Sequence, residues 1–299
     1  MQGSATTLAP RRETRRRLLG VPAALAAGVV LTQVTYPLLA GDALRTATVT
    51  AVVLFAATSL THAAVTHGVR AAGTLLVVAG GLGLLAETVG VRTGVPFGSY
   101  SYADTLGPRL LGVPVVVPLA WMMMAYPCLL LGRRLAPAGR SVGARRRRVA
   151  VLGGLTLAAW DLYLDPQMVE AGHWTWRFPD PALPGVPGVP LTNYAGWVVV
   201  AVVLVATLDR TLDRGVDRGV DRGIDPEGEP DRSTQATTER VPAALLAWTW
   251  LGSGLANLAF FGRPAVAAYG LVAMGLPVAA YLARLRRDLA PPAGAGGPP

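Results

Sequence analysis

The chain has 299 residues, 52% of them hydrophobic and only 15% charged, with a formal net charge of +9. All 27 basic residues are arginine, and the single cysteine, Cys128, excludes an intramolecular disulfide or a cysteine-based metal cluster. The positive charge does not point to nucleic acid. The arginines cluster beside apolar segments, where they act as orientation signals and contacts for anionic lipid.

Several apolar stretches reach the roughly 20 residues that a helix needs to cross about 30 Å of hydrocarbon. The predicted fold is all-α, a polytopic transmembrane helical bundle of about eight spans near 18–40, 46–66, 71–91, 113–131, 149–165, 193–208, 241–261 and 265–283. A basic N-terminus, 1–17, precedes them. Small residues from Ala23 to Ala27 fit a signal peptide, but the apolar run continues to about Ala40, longer than a signal core, so it reads as the first span. Residues 18–208 then hold spans one to six, with outward loops at 92–112 and 166–192, and 241–283 hold the last two spans.

Arginine placement sets the predicted orientation. With the N-terminus in the cytoplasm, alternate segments facing inward receive 22 of the 27 arginines, including Arg145 to Arg148, Arg284, Arg286 and Arg287. The outer segments receive only Arg45, Arg92, Arg109, Arg177 and Arg263. Both termini are therefore expected in the cytoplasm, and the protein is expected in the cell membrane. Inner residues 209–240 contain the repeat Asp213-Arg-Gly-Val, Asp217-Arg-Gly-Val, Asp221-Arg-Gly-Ile. A glycine every fourth residue penalises helix by about 1 kcal/mol each, and little apolar surface is available to bury, so a disordered linker is expected. The cytoplasmic tail, 284–299, ends in a Pro/Gly stretch that reads the same way.

Acidic and aromatic residues gather at the outer ends of spans three and five. Ionisable groups are costly at the edge of hydrocarbon and mark functional sites by default. Glu87 lies about one turn inside the end of span three, and Asp104 lies in the loop beyond. Desolvation disfavours the charged form there, and a carboxylic acid kept protonated near neutral pH can serve as a general acid; a pair with Arg92, or snorkelling to water, is the alternative. Tyr100 and Tyr102 follow after a turn-rich stretch containing Pro96.

The second group opens with Trp160-Asp161-Leu-Tyr-Leu-Asp165-Pro166, followed by Gly172-His173-Trp174-Thr-Trp176. Asp161 and Asp165 are four apart, hence on one helical face, and can share one proton; Pro166 is expected to end the helix. An acidic pair can instead hold Mg²⁺ on a diphosphate. Membrane prenyltransferases, however, use two Asp-rich motifs toward the cytoplasm, and here one faces out. His173 is either an acid–base group or a loop histidine. Trp174 and Trp176 are either interface anchors or the lining of a groove for a long apolar substrate, where their faces can steady a cation. Asn193, Tyr194 and Trp197 open span six and close the same pocket.

Elsewhere, His62 and His67 carry no metal site, Met122 to Met124 read as packing, and Gly80, Gly81 and Gly83 as close helix contact rather than room for a flat ligand. No phosphate-binding glycine loop, serine elbow or zinc motif is present.

The two clusters resemble those of the integral-membrane carotenoid biosynthesis family that includes carotenoid 1,2-hydratases of the CruF and bisanhydrobacterioruberin hydratase type. Glu87 with Gly94-Val-Pro-Phe-Gly-Ser-Tyr-Ser-Tyr102, Trp160 through Pro166, Gly172 through Trp176 and Asn193-Tyr-Ala-Gly-Trp197 carry the resemblance; the Asp-Arg-Gly repeat does not. The resemblance implies addition of water to the terminal double bond of an acyclic carotenoid, giving a tertiary alcohol with no metal or other cofactor. Glu87 or the Asp161/Asp165 pair would donate the proton, and another carboxylate or His173 would take one from water. The implied partners are a long apolar carotenoid, the bilayer and other membrane enzymes of the pathway. Competing readings are a carotenoid- or lipid-binding transport protein and a prenyltransferase or cyclase of the same pathway.

Overall fold

The structure, a computed structural model, describes residues 19–136, 141–220 and 232–290, with the backbone alone for 214–220 and 232. The long helices are α1 (Gly20–Val34), α2 (Gly41–His67), α3 (Val69–Thr93), α4 (Val116–Leu135), α5 (Val142–Glu170), α6 (Leu191–Val220), α8 (Arg240–Ala259) and α9 (Pro264–Leu289); a short α7 (Arg232–Thr238) precedes α8. Each predicted span coincides with one long helix. Six of them, α1 with its continuation to Leu38, α2, α3, α4, α6 as far as Asp213, and α9, are long and apolar enough to cross a membrane. The other two, α5 and α8, interrupt their apolar runs with Asp161, Asp165, Thr249 and Ser253, the last three of which line the central cavity. Exposed side chains such as Leu38, Val77 and Leu276 cover the outside of the bundle, as lipid-facing helices require.

Helix α5 packs against α4, α6 and α9. Small residues permit the approach: a Cβ on Gly153 would meet the Cys128 carbonyl oxygen at 2.7 Å, and one on Gly154 would meet Val202 Cα at 2.6 Å. Close helix contact was expected instead of the span-three glycines. Of these, Gly83 is pressed against Trp121, whereas Gly81 has open space around it.

Three expectations change. Pro166 does not end its helix, which runs on to Glu170. A proline in a helix removes a single backbone donor, and the stop comes at Gly172, whose φ of +70° turns the chain back. The Gly172 and His173 N–H groups then donate to the Val169 and Met168 carbonyls, which satisfies two of the terminal carbonyls.

The linker expected at 209–240 is helical through Val220 and again over Arg232–Thr238; Asp221 and the rest of the repeat lie outside the described residues. Arg133 holds Asp209 at 2.7 Å and Asp213 at 2.8 Å, which ties α6 to α4 just before the repeat's glycines. At the other ends, 1–17 lies outside the described residues, and the tail from 284 begins as the last turns of α9 before the undescribed 291–299.

The loops after α3 and α5 are also more ordered than an all-α reading implies. They form three two-stranded antiparallel ladders from β1 (Tyr100–Tyr102), β2 (Arg109–Leu110), β3 (Val113–Pro114), β4 (Trp174–Trp176), β5 (Ala182–Leu183) and β6 (Val186–Pro190). Strands β2 and β3 join through Leu111 and Gly112, both at positive φ, the geometry of a tight hairpin. The pairing of β1 with β4 ties the loop after α3 to the loop after α5, with Tyr100 opposite Trp176 and Tyr102 opposite Trp174.

Candidate functional site

Glu87 is buried near the end of α3 and accepts three hydrogen bonds. Tyr100 Oη at 2.5 Å and Tyr102 Oη at 2.7 Å meet Oε2, while Trp121 Nε1 at 2.9 Å meets Oε1. The indole N–H can only donate, so Oε1 is fixed as an acceptor. The hydroxyls can donate or accept, so Oε2 is the oxygen through which a proton can pass. Arg92, the alternative partner in sequence, makes no ion pair with it.

Asp161 and Asp165 share a face of α5, as their spacing requires, and both are buried. The Asn193 side-chain amide, from the first turn of α6, donates to Oδ2 of each, at 2.9 Å for Asp161. Trp174 Nε1 donates to Asp165 Oδ1 at 3.1 Å, whereas Asp161 Oδ1 is buried without a hydrogen-bond partner. Two carboxylates held by one amide, with no arginine against them, favour a single proton shared by the pair over two full charges.

These groups meet at one cavity of about 110 Å³. Glu87, Asp165 and Asn193 are among the polar groups of its wall; Tyr100, Tyr102, Trp160, Trp174, Trp176 and Trp197 are among its aromatic faces. Trp197 stacks on Trp121 with ring centroids 3.9 Å apart and planes inclined by 14°, and Trp160 meets Trp197 edge-on at 6.0 Å. Trp176 is fixed by its N–H bond to the Phe97 carbonyl at 2.9 Å. The packing leaves no slack: a Cβ on Gly90 would come within 2.9 Å of both Phe97 and Tyr100 Oη.

The remaining candidates lie around this cavity and do not line it. Asp161 sits behind Asp165. Tyr194 Oη is buried without a partner. His173 Nδ1 lies 2.7 Å from Thr105 Oγ1, and the His173 carbonyl accepts from Ala103 N, so this residue pins the loop after α5 to the loop after α3. Burial, helped by the charge of Arg45, lowers its pKa below the usual 6.5. Asp104 is out at the surface in an ion pair with Arg109 at 2.7 Å. Away from the site, His62 Nδ1 meets Tyr126 Oη at 2.9 Å and Nε2 meets the Thr238 carbonyl at 2.7 Å.

Sequence reasoning missed Trp121 and Phe97. Trp121 stands in an apolar span with no charge beside it to mark it. Met123 and Met124, read as packing, also line the cavity. So do Gln33 and Tyr36, from the α1 region; Gln33 Oε1 accepts from Trp248 Nε1 of α8 at 2.7 Å.

A family described as "Carotenoid biosynthesis protein" matches residues 47–277, which include Glu87, Asp161, Asp165, Asn193 and the tryptophans of the cavity but not Gln33 or Tyr36. The chain is 38% identical over 112 residues to the bisanhydrobacterioruberin hydratase of Haloarcula japonica. That match covers 37% of this chain and spans 36% of the relative. No solved structure matches this chain.

Proposed function

Because the chain belongs to the carotenoid biosynthesis protein family, we propose that it is a hydratase of that pathway, acting on the terminal carbon–carbon double bond of an acyclic carotenoid end group. The observation that carries this reading is that Glu87 and Asp165 open onto one aromatic-walled cavity. The named activity of the Haloarcula japonica relative supports it.

The chemistry follows from the groups present. Glu87 delivers a proton to the less substituted alkene carbon, and the π electrons form the new C–H bond. The tertiary carbocation left on the neighbouring carbon is attacked by water. The Asp161/Asp165 pair takes a proton from the attacking water, leaving a tertiary alcohol. One water is added, no electrons are transferred, and the net proton balance is zero. Transferring the proton through Tyr100 or Tyr102 restores Glu87. The ring faces of Trp160, Trp174, Trp176 and Trp197 stabilise the cation without forming a bond to it, and Asn193 orients the base. Acid–base assistance of this kind contributes roughly 10²–10⁴-fold. His173 holds the loops that carry the rings and takes no proton in this scheme.

The same reading includes eight membrane spans with both termini in the cytoplasm and the cavity toward the outer face, supported by the arginine distribution. The carotenoid enters with its end group in the cavity and its polyene in the bilayer. Other membrane enzymes of the pathway supply it.

The test is a pigment mass spectrum from a host accumulating an acyclic-ended carotene. The wild-type chain is expected to add one water per reacted end, and Glu87→Gln, at equal membrane abundance, to add none. An unchanged carotene with abundant wild-type protein would favour binding or transport, and a new ring without added oxygen would identify a cyclase.

A further inference from the structure

The carboxylate site occupies one end of the bundle; the other end holds a second, differently built cavity. Arg133 lies twelve residues beyond Trp121 on α4, which places it about 18 Å along the helix from the aromatic site. Here α2, α3, α4 and α6 surround a cavity of about 80 Å³ lined by Arg70, Arg133, Thr74 and Tyr126 over an apolar floor that includes Leu129 and Leu130. The volume is enough for several waters or one tetrahedral oxyanion.

Charge identifies the occupant. Arg133 is already matched by Asp209 and Asp213, and Arg146 approaches Asp213 at 3.5 Å. Arg70, at the start of α3, also lines the cavity, but makes no ion pair or hydrogen bond among the described residues. Of the two arginines that line the cavity, Arg133 is thus neutralised by Asp209 and Asp213, whereas Arg70 has no acidic partner among the described residues. The planar guanidinium of arginine suits bidentate recognition of a phosphate. The floor is apolar, and Leu76 and Val77 of α3 are exposed on the outside of the bundle nearby, so a headgroup can sit in the cavity while its acyl chains follow the helix surface.

We propose that this cavity binds a phosphate anion through Arg70, with an anionic phospholipid headgroup or free phosphate as its source. Basic pockets between membrane helices recognise such headgroups. The site is independent of the hydratase reading, since none of its residues touches the aromatic cavity.

The test uses the full chain purified in detergent, with native mass spectrometry to follow retention of phosphatidylglycerol against phosphatidylcholine and thermal unfolding to follow inorganic phosphate. Arg70→Gln is the probe, Arg70→Lys its charge-preserving partner, and Arg92→Gln, an exposed arginine at the other end, the control. The expected result is preferential retention of phosphatidylglycerol that falls at least fivefold in Arg70→Gln, partly returns in Arg70→Lys and is unchanged in Arg92→Gln. A phosphate-induced rise in unfolding temperature, lost in Arg70→Gln but without lipid preference, would assign free phosphate as the source. The proposal is overturned if neither ligand distinguishes Arg70→Gln from wild type, or if Arg92→Gln causes an equal loss. Matching unfolding temperatures without ligand establish that the variants are folded.

Discussion

Tyr102 and Trp174 face each other across the β1–β4 ladder, their rings edge to face at 5.6 Å, and each donates to a different buried carboxylate: Tyr102 to Glu87 and Trp174 to Asp165. The strand pair thus fixes the relative position of two acidic centres that belong to different helices. A slip of either strand by one residue would turn that strand's side chain to the opposite face and break its bond to the carboxylate.

This linkage makes the two donors interdependent. Tyr102→Phe and Trp174→Phe keep the ring contact but remove the bond to Glu87 or Asp165. Each is expected to slow product formation about tenfold, equivalent to about 1.4 kcal/mol. The double variant should lose less than the product of the two, because the second change acts on a network already loosened. Initial rates of pigment conversion at matched protein levels measure the cycle; strictly multiplicative losses would mean that the two carboxylates are positioned independently.

Asn193 holds the aspartate pair from a third helix. Asn193→Leu is close in volume but leaves Oδ2 of both Asp161 and Asp165 without the amide. Each buried acceptor so exposed costs about 1–3 kcal/mol. A clear fall in unfolding temperature in detergent is expected together with loss of conversion. Conversion lost at wild-type stability would assign Asn193 to substrate contact rather than to support of the pair.

Packing at the α5–α6 crossing gives a prediction independent of chemistry. In Gly154→Ala the new methyl meets Val202 backbone atoms at 2.6 and 2.8 Å, so two helices must separate. The expected destabilisation is about 1–3 kcal/mol. Gly81→Ala, with nothing within 4 Å of the added carbon, is expected to be neutral or slightly stabilising, since alanine is the better helix former. Thermal unfolding of the two variants side by side tests the contrast.

His173 predicts a pH dependence. Its folded pKa lies below the unfolded value of about 6.5, so the unfolded chain binds the proton more readily than the folded one. Its contribution to stability is complete above pH 6.5. As pH falls below that value the unfolded state gains a proton first, and stability declines until the folded pKa is reached. His173→Gln should flatten this part of the stability–pH curve. An unchanged slope would place the acid sensitivity elsewhere.

The sequence by itself determined the helical, membrane-protein character of the chain, the approximate limits of its eight long helices, six of them apolar enough to cross a membrane, and several of the polar groups that the fold gathers at the cavity. These follow from local properties: a run of apolar residues sets helix length, and a spacing of four puts Asp161 and Asp165 on one face. Tertiary structure decided the rest, because the remaining relationships join positions far apart in the chain. Trp121 reaches Glu87 from 34 residues away and carries no local mark of doing so. The β1–β4 pairing depends on the return of α5 to the level of α3, and Arg133 of α4 holds Asp209 and Asp213 of α6 at the start of a stretch that hydropathy and propensity assign to a linker. The withdrawal of His173 from the cavity has the same origin: a Schellman turn at Gly172 points its ring at Thr105, and only the folded backbone specifies that direction.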